Sequence, residues 1–170
     1  MVDERLVEVF SAAQIAERVG ALAQEIGAAY DGRELTVLGV LEDGFVFLAD
    51  LLRELKLPVR TAFLRYDHRS LGGFQDLQFS AQTDLAGRDV LLVEAVLETG
   101  VPQEYIMRQL SNRGGRSIKL CVLLDKPDRR RVELKPDWRA FETHEEYVVG
   151  YGLGLNERWR NLPYLARAQG

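Results

Sequence analysis

Apolar positions along this chain repeat with two alternating periods. From Ile15, the residues Val19, Leu22 and Ile26 follow at steps that mark one face of an α-helix. Just ahead, Ser11-Ala-Ala-Gln14 has the form of a capping box, in which two side chains satisfy free N–H groups at a helix start. Asp31-Gly32 breaks that pattern. Leu35 to Leu41 is then a short apolar run with β-branched Thr36, Val37 and Val40, the composition of a strand. Gly44 to Leu55 returns to helical spacing, and Pro58 precedes a second strand, Val59 to Leu64. Arg65 to Leu85 is weakly patterned around Gly72 and Gly73 and reads as a mobile excursion, a kind of loop that is often functional. A strand at Val90 to Val93, a helix at Pro102 to Asn112 and a strand at Ile118 to Leu124 follow. Shorter pieces close the chain: Trp138 to Phe141, Tyr147 to Leu153 and a tail from Asn156.

Apolar strands alternating with amphipathic helices predict an α/β fold, a mostly parallel central sheet flanked by helices. No linker or repeat interrupts the pattern, so residues 1–170 are read as a single domain. Ligands of such sheets bind beyond the C-terminal ends of the strands. The chemistry is therefore expected after Leu41, Leu64, Val93 and Leu124.

Charge and composition remove several classes of partner. The formal net charge is −4 and the pI about 5.3, which disfavours a nucleic-acid surface. The basic run Arg129-Arg130-Arg131 lies beside Asp125 and Asp128 and reads as a solvated turn. No apolar run approaches the roughly 20 residues of a membrane span. The acidic start of the chain lacks a secretory pattern. Cys121, within an apolar run, reads as a small buried hydrophobe in a reducing cytoplasm. His68 and His144 stand apart, so no metal held by protein ligands alone is expected.

After Val93 the chain reads Glu94-Ala-Val-Leu-Glu98-Thr99-Gly100-Val101-Pro102. Acids, a threonine and a glycine between a buried strand and a helix start suit a phosphate. The N–H groups of Glu98 through Val101 and the positive helix end can hold it, with the Thr99 hydroxyl. Taken alone, the segment is also readable as a plain strand-to-helix turn, and that is the simpler account.

The wider context is more specific. GRDVLLVEAVLETGVP resembles the phosphoribosyl pyrophosphate loop of type I phosphoribosyltransferases. GVLEDGFVFLADLLRELKLPV, LLDKPDRR and EEYVVGYGLGLNERWRNLPYL resemble, in the same order, segments of the hypoxanthine-guanine subfamily. The similarity runs from about Thr36 to Leu165. It implies the type I phosphoribosyltransferase fold, with a small C-terminal hood on the α/β sheet. It also implies purine salvage, in which phosphoribose passes from phosphoribosyl pyrophosphate, with magnesium, to a purine base. A cytoplasmic homo-oligomer, dimer or tetramer, is implied as well.

The resemblance carries roles to individual residues. It implies that Lys126 meets the purine 6-oxo group, that Tyr147 stacks on the base and that Val148 reads its edge through the backbone. Arg160 is implied to face pyrophosphate, Thr99, Gly100 and Val101 to cradle the phosphate, and Glu94 to be the first acid at the ribose. Glu98 takes the place of the general-base aspartate.

Other positions depart from the family pattern. Ala95 stands at the second ribose acid, Pro102 at a cradle threonine and Gly154 at a metal-binding aspartate. Leu41-Glu42-Asp43-Gly44 replaces a turn that commonly carries Lys and Gly, and His68-Arg69 replaces the Ser-Tyr of the hood. Two carboxylates in that turn would repel a polyphosphate by about 1 to 4 kcal/mol per close pair. The sequence thus leaves two outcomes open. One is a divergent 6-oxopurine phosphoribosyltransferase with Glu98 as base. The other is a purine-nucleotide-binding or regulatory homologue without transfer, partnering an active relative. An RNA-binding regulator is opposed by the acidic balance.

Overall fold

The capping box forms as the sequence predicts. In the computed structural model the Ser11 hydroxyl accepts from the Gln14 N–H at 3.2 Å, and Gln14 Oε1 accepts from the Ser11 N–H at 2.8 Å. Helix α1 (Ala12–Tyr30) follows and buries Ile15, Val19, Leu22 and Ile26. Ser11→Ala removes the acceptor of the Gln14 N–H. It is expected to cost about 1 kcal/mol, read as a lower urea midpoint with an unchanged slope; an unchanged midpoint would deny the cap that role.

The structure describes residues 6–66, 77–79 and 84–168. Strand β1 (Leu6–Phe10) precedes α1. Strand β2 (Leu35–Val40), helix α2 (Phe45–Glu54), strand β3 (Val59–Arg65) and the short β4 (Gln78–Phe79) follow. Strand β5 (Asp89–Leu97), helix α3 (Val101–Asn112), strand β6 (Ser117–Asp125), a single 3-10 turn (Pro127–Arg129) and strand β7 (Trp138–Glu142) come next. The pair β8 (Val148–Val149) and β9 (Leu165–Ala168) ends the described chain.

The main sheet has the order β4-β3-β2-β5-β6-β7 and is parallel except for β4. Its central strands are buried on both faces, which is why every residue of β2 is buried. Successive side chains of a strand point to opposite faces. Val37, Leu91 and Val93 therefore join Leu22, Phe47 and Leu51 in one core, while Leu38, Val40 and Leu92 join Ile106 and Leu110 in another. Cys121 lies in the first core, and burial pushes its thiol well up. No helix among the described residues is long and apolar enough to cross a membrane.

Several expectations change. Strand β5 continues to Leu97, so Glu94 lies within the strand rather than in the loop after it. The segment read as an excursion contributes β4, paired to β3 through Leu64 and Phe79. His68, Arg69, Gly72 and Gly73 lie outside the described residues. The Tyr147–Leu153 piece is a two-residue strand followed by turns, with Tyr151 at φ 50. The small sheet is not built from the C-terminal end alone: its order is β1-β9-β8, with β1 antiparallel to β9.

The N-terminal end of the sheet carries a charge cluster that periodicity could not show. Asp89 is 2% exposed and accepts from Arg33 Nη1 at 2.8 Å, Arg116 Nε at 3.0 Å and Ser117 Oγ at 2.7 Å. Hydrogen bonds from Arg116 lead the effects that hold its carboxyl down to about 2.

Candidate functional site

A cleft of about 1010 Å³ opens at the C-terminal ends of β2, β3, β5 and β6, where the parallel sheet predicts it. Its floor is the end of β5, where Glu94 and Ala95 both line the cleft. Glu94 is buried, and both of its carboxylate oxygens are engaged. Tyr66 donates its hydroxyl to Oε1 at 2.9 Å, and Gln103 donates its amide to Oε2 at 2.8 Å. Gln103 sits in the first turn of α3, on the buried face it shares with Ile106 and Leu110. Burial dominates these two donors and pushes the Glu94 carboxyl up to about 7.

One wall is the Glu98-Thr99-Gly100 turn that feeds α3. Gly100 caps the helix at φ 81, a conformation that L side chains rarely adopt. A Cβ there would also lie 2.9 Å from Val132 Cγ2 and 3.0 Å from Arg130 Cδ. The turn is pinned from behind: Lys126 N–H donates to the Leu97 carbonyl and Arg131 N–H to the Thr99 carbonyl, both at 2.9 Å. Thr99 Oγ1 accepts from the Val101 N–H at 3.4 Å. Thr99 and Pro102 line the cleft, whereas Gly100 and Val101 shape the turn from outside the lining.

Arg130 corrects the solvated-turn reading of the arginine run. Its side chain is only 14% exposed, because it pairs through Nη2 with buried Asp125 and packs behind Gly100. Asp125 also accepts from Arg139 Nη1 at 2.9 Å. The buried Arg130 Nη1 has no partner among the described residues.

The far wall brings Lys126, Tyr147 and Val148 together. Lys126 is 7% exposed, and its Nζ donates to the Glu146 carbonyl at 2.8 Å and to Glu98 Oε1 at 3.4 Å. A buried ammonium held by a carbonyl and a carboxylate is a ready donor to a carbonyl oxygen entering the cleft. Tyr147 stands at the rim, 57% exposed. Glu98 remains partly exposed between Lys126 and Arg129.

The mouth is formed by Leu41-Glu42-Asp43-Gly44, with Arg65 and Arg160. Arg65 pairs with Glu42, and Arg160 pairs with Asp43. Arg160 Nη1 also donates to the Gly152 carbonyl at 2.7 Å. Its side chain lies over Gly154, where a Cβ would come within 2.9 Å of Arg160 Cγ and Nε. Magnesium is the ion the family implies, and these residues do not fit it. A guanidinium covers Gly154, Glu94 already accepts two donors, and no cluster of metal-ligating groups occurs among the described residues.

Of the residues singled out from sequence, Glu94, Glu98, Thr99, Lys126, Tyr147, Val148 and Arg160 all line this cleft. Tyr66, Gln103, Arg65 and Arg130 were not foreseen. Gln103 alone carried a signal, as a polar residue at a core-face position of a helix.

Known proteins resemble this chain over most of its length. The phosphoribosyl transferase domain family matches residues 8–157. The hypoxanthine-guanine phosphoribosyltransferase of Lactococcus lactis is 36% identical over 156 residues, covering 89% of this chain and 85% of the relative. The hypoxanthine phosphoribosyltransferase of Haemophilus influenzae is 35% identical over 157 residues, covering 88% of each. A crystal structure of a hypoxanthine-guanine phosphoribosyltransferase from Bacillus anthracis superposes with a TM-score of 0.89 at 30% identity, over 98% of this chain and 100% of that one. With a matching overall fold and similarity over most of its length, the chain belongs to the hypoxanthine-guanine phosphoribosyltransferase family and has the type I phosphoribosyltransferase fold.

Proposed function

We propose that this protein binds a 6-oxopurine ribonucleotide in the cleft and transfers phosphoribose far more slowly than relatives that keep both ribose acids. The carrying observation is the floor: beside Ala95, the Glu94 carboxylate is buried and already held by Tyr66 and Gln103. An oxocarbenium-like transfer needs negative charge aimed at the sugar, where charge develops. A carboxylate tied to two donors and raised to about 7 supplies little of it.

The binding half of the site is better served. A 5′-phosphate fits the pinned turn at the N-terminus of α3, where N–H groups and the helix dipole favour an anion. Lys126 meets the 6-oxo group, Tyr147 covers one face of the base, and Val148 reads its edge. Glu98 is the remaining general-base candidate, one methylene longer than the family aspartate and paired to Lys126. A misplacement of about 1 Å is enough to cost roughly a hundredfold. The homo-oligomeric, cytoplasmic setting belongs to the same reading.

The test combines the protein with phosphoribosyl pyrophosphate, magnesium and hypoxanthine or guanine, and follows pyrophosphate release. Turnover is expected at least about a hundredfold below that of the Lactococcus lactis relative under the same conditions. Inosine or guanosine monophosphate at a hundred times its Kd should raise the melting temperature by roughly 5 °C or more. Turnover equal to the relative's and abolished by Glu98→Ala would establish the enzyme instead. The Glu98 carboxylate reaching the cleft beside Lys126 is the one observation favouring that second reading.

A further inference from the structure

The mouth of the cleft, away from the Thr99 turn, carries charges that the proposed nucleotide does not use. Helix α2, ten residues long, points its N-terminus here with Gly44 at the cap and no capping side chain. Arg65 and Arg160 line the same opening. A helix N-terminus with two guanidinium groups would ordinarily receive a polyanion. Here the loop between β2 and α2 supplies its own anions: Glu42 pairs with Arg65, and Asp43 pairs with Arg160. The formal charges of the four side chains cancel.

We propose that Glu42 and Asp43 act as resident anions that exclude pyrophosphate and make a divalent cation unnecessary, so the cleft selects nucleoside monophosphates over phosphoribosyl pyrophosphate. This rests on the nucleotide-binding reading above and names its ligand class. Asp43 is the specificity-determining residue. An entering pyrophosphate gains little from a guanidinium that already faces a carboxylate, and it must then lie beside that carboxylate. A magnesium ion meets carboxylates already neutralised by arginine. At Gly154 it meets the Arg160 side chain instead of a ligand. Arg160 is further fixed by the Gly152 carbonyl at 2.7 Å, so it does not simply swing free when a ligand arrives.

Calorimetry on the whole chain tests this. Inosine monophosphate is titrated with magnesium chloride and again with EDTA, and the two Kd values are expected to agree within about twofold, a coupling near zero. Sodium pyrophosphate is then titrated into protein saturated with inosine monophosphate. The wild type is expected to bind it only weakly. Asp43→Asn, which frees Arg160, is expected to bind pyrophosphate at least about tenfold more tightly, the scale of one charge-assisted hydrogen bond. Glu42→Gln provides the same comparison at Arg65 should Asp43→Asn fail to fold. Tenfold tightening of the nucleotide by magnesium, or pyrophosphate binding equally to wild type and variants, overturns the proposal and leaves the nucleotide reading standing. Absence of nucleotide binding in both buffers removes the two together.

Discussion

Replacing Gly100 with alanine is expected to weaken inosine monophosphate binding by roughly a hundredfold or more while the protein stays folded. Two independent constraints meet at this position. Its φ of 81 costs a Cβ-bearing residue about 1–2 kcal/mol. The new Cβ would also lie 2.9 Å from Val132 Cγ2 and 3.0 Å from Arg130 Cδ. Arg130 cannot readily yield, because its guanidinium is tied to buried Asp125. The turn must move instead, and toward the cleft, since Arg130 and Val132 occupy the other side. That shift crowds the phosphate position and turns the N–H groups at the start of α3 out of line with it. Each hydrogen bond to a charged group contributes about 1.5–3 kcal/mol, so losing two accounts for the expected factor. Calorimetry with the nucleotide and a thermal melt of the same preparation separate the two effects. Affinity within about threefold of wild type in a folded variant would show that this turn is not the phosphate cradle.

The central architecture was legible because its signals are long and periodic. Helix α1 carries its cap and its buried face in the residue order, and β2, β5 and β6 are apolar enough to exclude a solvated face. Strand β1 was not legible. Its five residues show neither alternation nor full burial, and its partner β9 lies at the other end of the chain. The site divides in the same way. Thr99, Gly100 and Lys126 follow strand ends, where topology directs attention. Tyr66 reaches Glu94 only because β3 and β5 flank β2 in the sheet, a juxtaposition that no local spacing encodes. The acids of the mouth and Arg160 were visible in the sequence, but Arg65 and the pairing of each acid with a guanidinium were not. Glu42 and Asp43 thus read as unopposed repulsion, whereas each has a guanidinium beside it.

Glu94 sets the other large effect, on stability. Between pH 4.5 and about 7 the wild-type protein is expected to become less stable by about 3 kcal/mol, and Glu94→Gln to remove most of that loss. The sign follows from which state holds the proton. Burial raises the folded carboxyl from 4.5 to about 7, more than the donors Gln103 and Tyr66 lower it, and the Asp43 charge adds to the rise. In this interval the folded state keeps a proton that the unfolded chain has released, so raising the pH favours unfolding. The contribution is fully present below 4.5, fades as pH climbs and is gone above about 7. At about 1.4 kcal/mol per pKa unit, a shift of this size gives the stated magnitude. Asp89 acts in the opposite direction and lower on the scale. Its carboxyl is held down to about 2, so its contribution is lost only as pH falls below 3.8. Urea unfolding at about pH 5 and pH 8 therefore isolates Glu94 from Asp89. The glutamine variant keeps a buried oxygen for the Tyr66 hydroxyl without the charge that burial penalises. It should be more stable than wild type at the higher pH and differ little at the lower. A wild type equally stable at both values, or a variant that keeps the slope, would mean that Glu94 is solvated in the folded protein. Its carboxylate would then be free to serve a ribose hydroxyl after all.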